Sequence, residues 1–193
     1  MKLVFATNNR HKLLEIISIA PAEIEIIGLK ELGFEGEIPE THETIEENSL
    51  EKAEFISRKF SIACFAEDTG LMVDALQGAP GVYSARYAGE SATFDDNVNK
   101  LLSKMNGITN RQARFKTVIT YYNNSSYVQF VGITEGEITE ERRGESGFGY
   151  DPLFKPDGSK KTYAEMTLEE KNSFSHRKKS FEHFANHLQR ISV

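Results

Sequence analysis

Two β-rich runs, 114–122 and 127–134, are separated only by Asn123-Asn124-Ser125-Ser126. Four polar residues leave room for little but a tight turn, so the two runs should form a hairpin, with 136–139 extending the second. The rest of the chain alternates strand and helix patterns. Residues 2–6 read as a short buried strand, Thr7-Asn8-Asn9 as turn chemistry, and 12–20 as a helix with Leu13, Ile16, Ile17 and Ala20 on one face. A central antiparallel hairpin among alternating strands and helices implies an α/β protein with a mixed sheet.

A second strand is expected over 25–29, followed by an acidic loop over 33–44 that contains Pro39. Thr44-Ile45-Glu46-Glu47 fits a capping box, which predicts a helix from there to about Phe60. Residues 62–66 read as a buried strand running into Glu67-Asp68-Thr69-Gly70, after which Met72 and Val73 resume an extended run. Residues 78–89 should be loop, and 94–105 a helix with Val98, Leu101 and Leu102 inward. A Gly-rich loop over 144–149 leads to Tyr150-Asp151-Pro152. Phe181, Phe184, Leu188 and Ile191 recur at helical spacing, which predicts a last helix from about Ser175.

With 193 residues, 39% hydrophobic and 27% charged, the chain has ample material for one domain, or for one whose core is split between two lobes. No stretch approaches the roughly 18 apolar residues of a membrane span, and the start does not read as a signal peptide. The lone Cys64 suits a reducing cytosol. A net charge of −6 argues against coating nucleic acid, yet leaves room for one basic pocket.

Five stretches carry chemistry. Thr7-Asn8-Asn9-Arg10-His11-Lys12 joins a strand to a helix, where backbone N–H groups and the helix dipole favour an anion. Arg10, His11 and Lys12 are misplaced for that dipole unless an anion compensates; a solvated first turn is the alternative. Ser175-His176-Arg177-Lys178-Lys179 repeats the pattern, with Lys171 upstream behind a second capping signal, Thr167-Leu168-Glu169-Glu170. The two helix starts read either as two grips on one polyanion or as exposed basic patches. Glu67-Asp68, at the end of a buried strand, suits a hard cation or a general base, and Glu40 and Glu47 add carboxylates for a Mg²⁺ site. Adjacent strand residues face opposite ways, so one of the pair should enter the site. Asp-Thr-Gly could instead be only a turn. Lys52 shares a helix face with Asn48, in reach of a phosphate or merely on the surface. Phe148-Gly149-Tyr150-Asp151-Pro152 sets aromatics beside an acid, to stack on a base or to fill the core. Neither zinc-ligand spacing nor a Gly-x-Ser-x-Gly elbow occurs, which leaves metal-activated water as the simplest chemistry.

These stretches resemble the Ham1 family of inosine triphosphate pyrophosphatases. The matching pieces also include Glu47-Asn48-Ser49-Leu50-Glu51-Lys52-Ala53, Ala66-Glu67-Asp68-Thr69-Gly70-Leu71, and Gly78-Ala79-Pro80-Gly81-Val82-Tyr83-Ser84-Ala85-Arg86-Tyr87-Ala88-Gly89. Gly147 to Phe154, Thr162 to Met166 and Glu170-Lys171-Asn172 complete the set. Each motif alone is weak; their order over nearly the whole chain is specific.

The resemblance implies an α/β fold, an elongated mixed β-sheet with two lobes flanked by helices and a nucleotide cleft between them, usually as a homodimer in the cytoplasm. It implies Mg²⁺-assisted hydrolysis of ITP, dITP or XTP to monophosphate and pyrophosphate. Asp68 then matches the catalytic proton acceptor and, with Glu40, the metal ligands. Thr7, Asn8, Asn9, Arg10, His11 and Lys12 match the substrate loop, with Lys12 and Lys52 on phosphates. Thr69 keeps the hydroxyl of a position that is commonly Ser. Phe148, Gly149, Tyr150, Asp151, Lys171, His176 and Arg177 match the remaining nucleotide contacts. Competing readings are a Maf-like pyrophosphatase acting on methylated or pyrimidine nucleotides, and a nucleotide sensor without hydrolysis. A nucleic-acid-binding module is disfavoured by the acidic charge, and no membrane partner is expected.

Overall fold

The computed structural model describes residues 1–191. In chain order its elements are β1 (Lys2–Phe5), α1 (Arg10–Ile19), β2 (Glu25–Ile27), α2 (Ile45–Phe60), β3 (Cys64–Val73), β4 (Pro80–Gly81) and α3 (Phe94–Lys104). They continue with β5 (Gln112–Asn123), β6 (Ser126–Ile138), β7 (Phe154–Pro156), α4 (Leu168–Phe174) and α5 (His176–Ile191), with short 3₁₀ turns between. The strands form one sheet in the order β2-β1-β3-β5-β6-β7, with β4 paired to β3. β1 runs parallel to β2 and β3, whereas β4 is antiparallel to β3 and β7 to β6, so the sheet is mixed as the sequence implies. Asn124 and Ser125 turn the chain between β5 and β6 with φ of 48° and 64°, the left-handed pair of a tight hairpin turn. Further along, β6 and β7 approach so closely at Gly136 that a Cβ there would sit 2.4 Å from the Lys155 carbonyl oxygen.

β3 departs from expectation. It does not end at Glu67-Asp68 but continues through Thr69-Gly70 to Val73, nearly all of it buried. Buried backbone needs hydrogen-bond partners, and the sheet supplies them where a turn would not. The acidic pair therefore sits in mid-strand. α1 also differs. It starts at Arg10, and its buried face centres on Ile16, flanked by Lys12 and Glu15, while Ile17 is 48% exposed. Ile191, on the final turn of α5, is exposed as well, whereas Phe181, Phe184 and Leu188 are buried.

The chain divides into two compact units, one of 1–68, 117–132 and the residues from Arg177 on, the other of 69–116 and 133–176. In the first unit, alternate residues of its strands feed two apolar clusters. Leu3, Phe5, Phe65, Ile119 and Tyr121 pack with Ile16 of α1 and with Phe181, Phe184 and Leu188 of α5. Val4, Ala6, Cys64, Ala66 and Tyr122 pack with Ala53 and Ile56 of α2. Phe5 and Phe65 stack at 4.6 Å between centroids. Burying such a ring contributes about 2 kcal/mol. The second unit packs Leu71, Val73, Val98, Leu101, Phe115, Ile138, Phe154 and Tyr163 together. Among the described residues, no helix is long and apolar enough to cross a membrane.

Candidate active site

The mid-strand position of Glu67 and Asp68 sends their side chains to opposite faces of β3, into different company. Glu67 joins the side shared with α1 and α5. Arg177, at the start of α5, grips it with Nε at 2.8 Å and Nη2 at 3.0 Å, and Lys12 Nζ lies 3.2 Å from it. The same guanidinium also donates to Glu15 of α1. Burial alone would raise the Glu67 carboxyl, but Arg177 and Lys12 outweigh it and hold the pKa down to about 2. Arg177, itself only 1% exposed, is kept charged by the two carboxylates against the cost of burial. Much of the cationic charge at these two helix starts is thus answered from within the chain.

The turn before α1 is organised by Asn9. Its Oδ1 accepts from the N–H groups of His11 and Lys12 at 2.9 and 3.2 Å, while Thr7 Oγ1 accepts from Asn9 N. Two amides that sequence reasoning offers to an anion are therefore capped. Asn8 donates to the Gly36 carbonyl. Arg10 and His11 are exposed.

Asp68 faces the other side, towards α2. Helical spacing places Asn48, Lys52 and Ile56 on the buried stripe of α2, so Lys52 is not a surface lysine but 4% exposed. Its Nζ lies 2.8 Å from Asp68 Oδ1 and 2.5 Å from Glu40 Oε1. Glu40 is brought there by α2, which ties the incoming loop. Thr41 N and Oγ1 each donate to Glu51 at 2.8 Å, and the Asn48 amide bonds the backbone of His42 in both directions. Burial lowers the Lys52 pKa, but Asp68 and Glu40 more than restore it, so the ammonium stays protonated. Burial and the neighbouring Glu40 raise the Asp68 carboxyl, against the pull of Lys52 and Lys12. Glu47, the remaining carboxylate considered for a metal, instead bonds the Thr44 hydroxyl at the start of α2.

Glu40 and Asp68 already converge on one cation, and their donor set is all oxygen. No group of three or more His, Cys, Asp or Glu suited to a metal occurs among the described residues. Two carboxylates nevertheless suit Mg²⁺, which takes most of its remaining ligands from water and substrate phosphates.

In the second unit, Asp151 is the hub. Its Oδ2 accepts from Phe148 N at 2.9 Å and from Lys171 Nζ at 2.6 Å. The Lys171 ammonium also lies 5.1 Å from the Phe148 ring centre and 5.2 Å from that of Tyr163. Gly147 is required at φ 82°, because a Cβ there would lie 2.1 Å from Asp151 Oδ2. Gly149 has φ 60°. Tyr150 is 3% exposed within the core and donates to the Ser84 carbonyl. His176 stacks on Phe115 at 4.7 Å. Thr69, next after Asp68, is half-buried. The sequence-predicted residues thus gather in three places: Lys12 and Arg177 around Glu67 on one face of β3, Glu40 and Lys52 around Asp68 on the other, and Phe148 and Lys171 around Asp151 in the second unit. Glu15 belongs to these networks without having been singled out, and Tyr163, within a stretch matched to the family, without having been given a role; the available signal for Glu15 was an acid beside Ile16, one turn after Lys12.

A model of the Ham1 family matches residues 3–187. A protein of Flavobacterium johnsoniae named dITP/XTP pyrophosphatase is 52% identical over 180 residues, 93% of this chain and 94% of that one. One of the same name from Porphyromonas gingivalis is 50% identical over 177 residues, 91% of each chain. The solved structure of the Staphylococcus aureus Ham1 protein has a TM-score of 0.89 and 37% identity, covering 99% of this chain and 100% of its own. A Ham1 protein from Coxiella burnetii also scores 0.89, at 35% identity over 98% of this chain and 99% of its own. With the motifs in order, the fold and these full-length likenesses in agreement, the chain belongs to the Ham1 family.

Proposed function

We propose that the protein is a nucleoside-triphosphate pyrophosphatase that hydrolyses non-standard purine nucleotides (ITP, dITP and XTP) to the monophosphate and pyrophosphate in the cytoplasm, as a homodimer. The observation that carries this reading is the convergence of Asp68 and Glu40 on the buried Lys52, in a relative of proteins named dITP/XTP pyrophosphatases. Asp68 is the general base that takes a proton from the water attacking the α-phosphorus. Glu40 and Asp68 would hold Mg²⁺, which supplies charge neutralisation at the phosphates. Lys12 and Lys52 are the phosphate-side cations, with Thr7, Asn8, Asn9, Arg10 and His11 forming the loop around them and Thr69 adding a hydroxyl. Phe148, Gly149, Tyr150, Asp151, Lys171 and His176 serve the rest of the nucleotide, and Arg177 acts through Glu67, which it holds beside Lys12. A site whose donors match a 6-keto purine leaves them unpaired against adenine, which favours hypoxanthine and xanthine.

The test is pyrophosphate release with Mg²⁺ from dITP, XTP, ITP, GTP, dUTP and 5-methyl-UTP, by the native protein and by Asp68→Asn. The expected outcome is preference for the non-standard purines and a kcat lowered about 100-fold or more in the variant, with the fold unchanged. Preference for a pyrimidine would favour the Maf-like reading. No pyrophosphate from any nucleotide would leave a sensor.

A further inference from the structure

Phe94 is the first residue of α3 and 45% exposed. Its ring lies 6.0 Å from that of Phe148, tilted by 51°. The turn that carries it is fixed twice. Thr93 and Asp96 form a reciprocal capping box, and Arg142 bonds Asp95 Oδ1 at 2.6 Å, the Asp95 carbonyl at 3.2 Å and Asn99 Oδ1 at 3.0 Å. Arg142 precedes the Gly-rich segment leading to Phe148, so one side chain ties the start of α3 to the loop that bears the other ring. Phe148 is then held through its N–H by Asp151 and beside its ring by Phe94, with the Lys171 ammonium close by.

We propose that Phe94, braced by Arg142, is a positioning residue for purine recognition: it fixes the Phe148 ring against which the base rests. This rests on the functional reading above and deepens it. An aromatic pair of this kind supports a severalfold preference for one ring position, and losing it weakens only the base-dependent part of binding.

The test compares native protein, Phe94→Ala, Phe94→Tyr and Arg142→Ala in hydrolysis of dITP and XTP. Competitive inhibition is measured with inosine monophosphate, which carries the base, and with pyrophosphate, which does not. Phe94→Ala should raise KM and the inhibition constant for inosine monophosphate about three- to ten-fold, with kcat and the pyrophosphate constant within about twofold of native. Arg142→Ala should move the same two quantities in the same direction, and Phe94→Tyr should restore them. Unchanged inosine monophosphate binding in both alanine variants, a loss confined to kcat, or an equal loss for pyrophosphate would overturn the proposal. Should the native protein release no pyrophosphate from dITP or XTP, the functional reading falls and this one with it. Native turnover with Phe94→Ala unaltered sinks only the role of Phe94.

Discussion

Cys64, the single cysteine, is wholly buried at the start of β3 against α2, where burial pushes its thiol up to about 12. Only the thiolate is nucleophilic, so a thiol reagent at pH 8 should label the native protein far more slowly than the urea-unfolded chain, by about 100-fold or more. Comparable rates would mean that this part of the sheet opens readily. The sequence made the residue's burial legible, since Cys64 stands in an apolar run. Lys52 was not legible in the same way. Helical spacing put it on a face with Asn48, but only the fold, by laying that face on β3, turns a solvent-seeking side chain into the cation between Asp68 and Glu40.

Among the elements, α1 and α5 are locked by an ion pair that local sequence rules did not reveal. Glu15 and Arg177 lie 162 residues apart, and no periodicity links them. Removing one carboxylate from a buried guanidinium is costly. Glu15→Gln should destabilise the fold by roughly 3 kcal/mol, lowering Tm by about 6–12 °C in a calorimetric scan. A shift below about 2 °C would show that Glu67 alone balances Arg177. The β5–β6 turn offers the opposite experiment. Ser125 adopts φ 64°, where glycine is at ease, so Ser125→Gly should raise stability by about 0.5 kcal/mol in urea denaturation. A loss would mean that the added freedom of the unfolded chain outweighs the relieved strain. This hairpin was readable from four polar residues because turn chemistry is local. The course of β3 was not, because whether Asp-Thr-Gly turns or stays extended depends on what buries it.

For the whole molecule, catalysis and folding should respond differently to metal. Lys52 already bridges Glu40 and Asp68 and offsets one of their two negative charges, so the fold does not need a divalent ion, whereas the proposed reaction does. Chelation should therefore cut turnover about 100-fold or more, reversibly with Mg²⁺, while Tm moves by less than about 2 °C. Collapse of the fold on chelation would contradict this. The motif order and mixed-sheet class could be read from the chain, since both depend on patterns along it. The internal pairing of Arg177 and Lys12 with Glu67 could not, because it is created by packing. Because Glu67 and Asp68 are consecutive on an extended strand, their duties are separated only by parity. Adding or deleting a single residue anywhere upstream in that strand would hand the acid meant for Arg177 to Lys52, and the reverse. The length of the run before them is thus as strictly constrained as the identity of either acid.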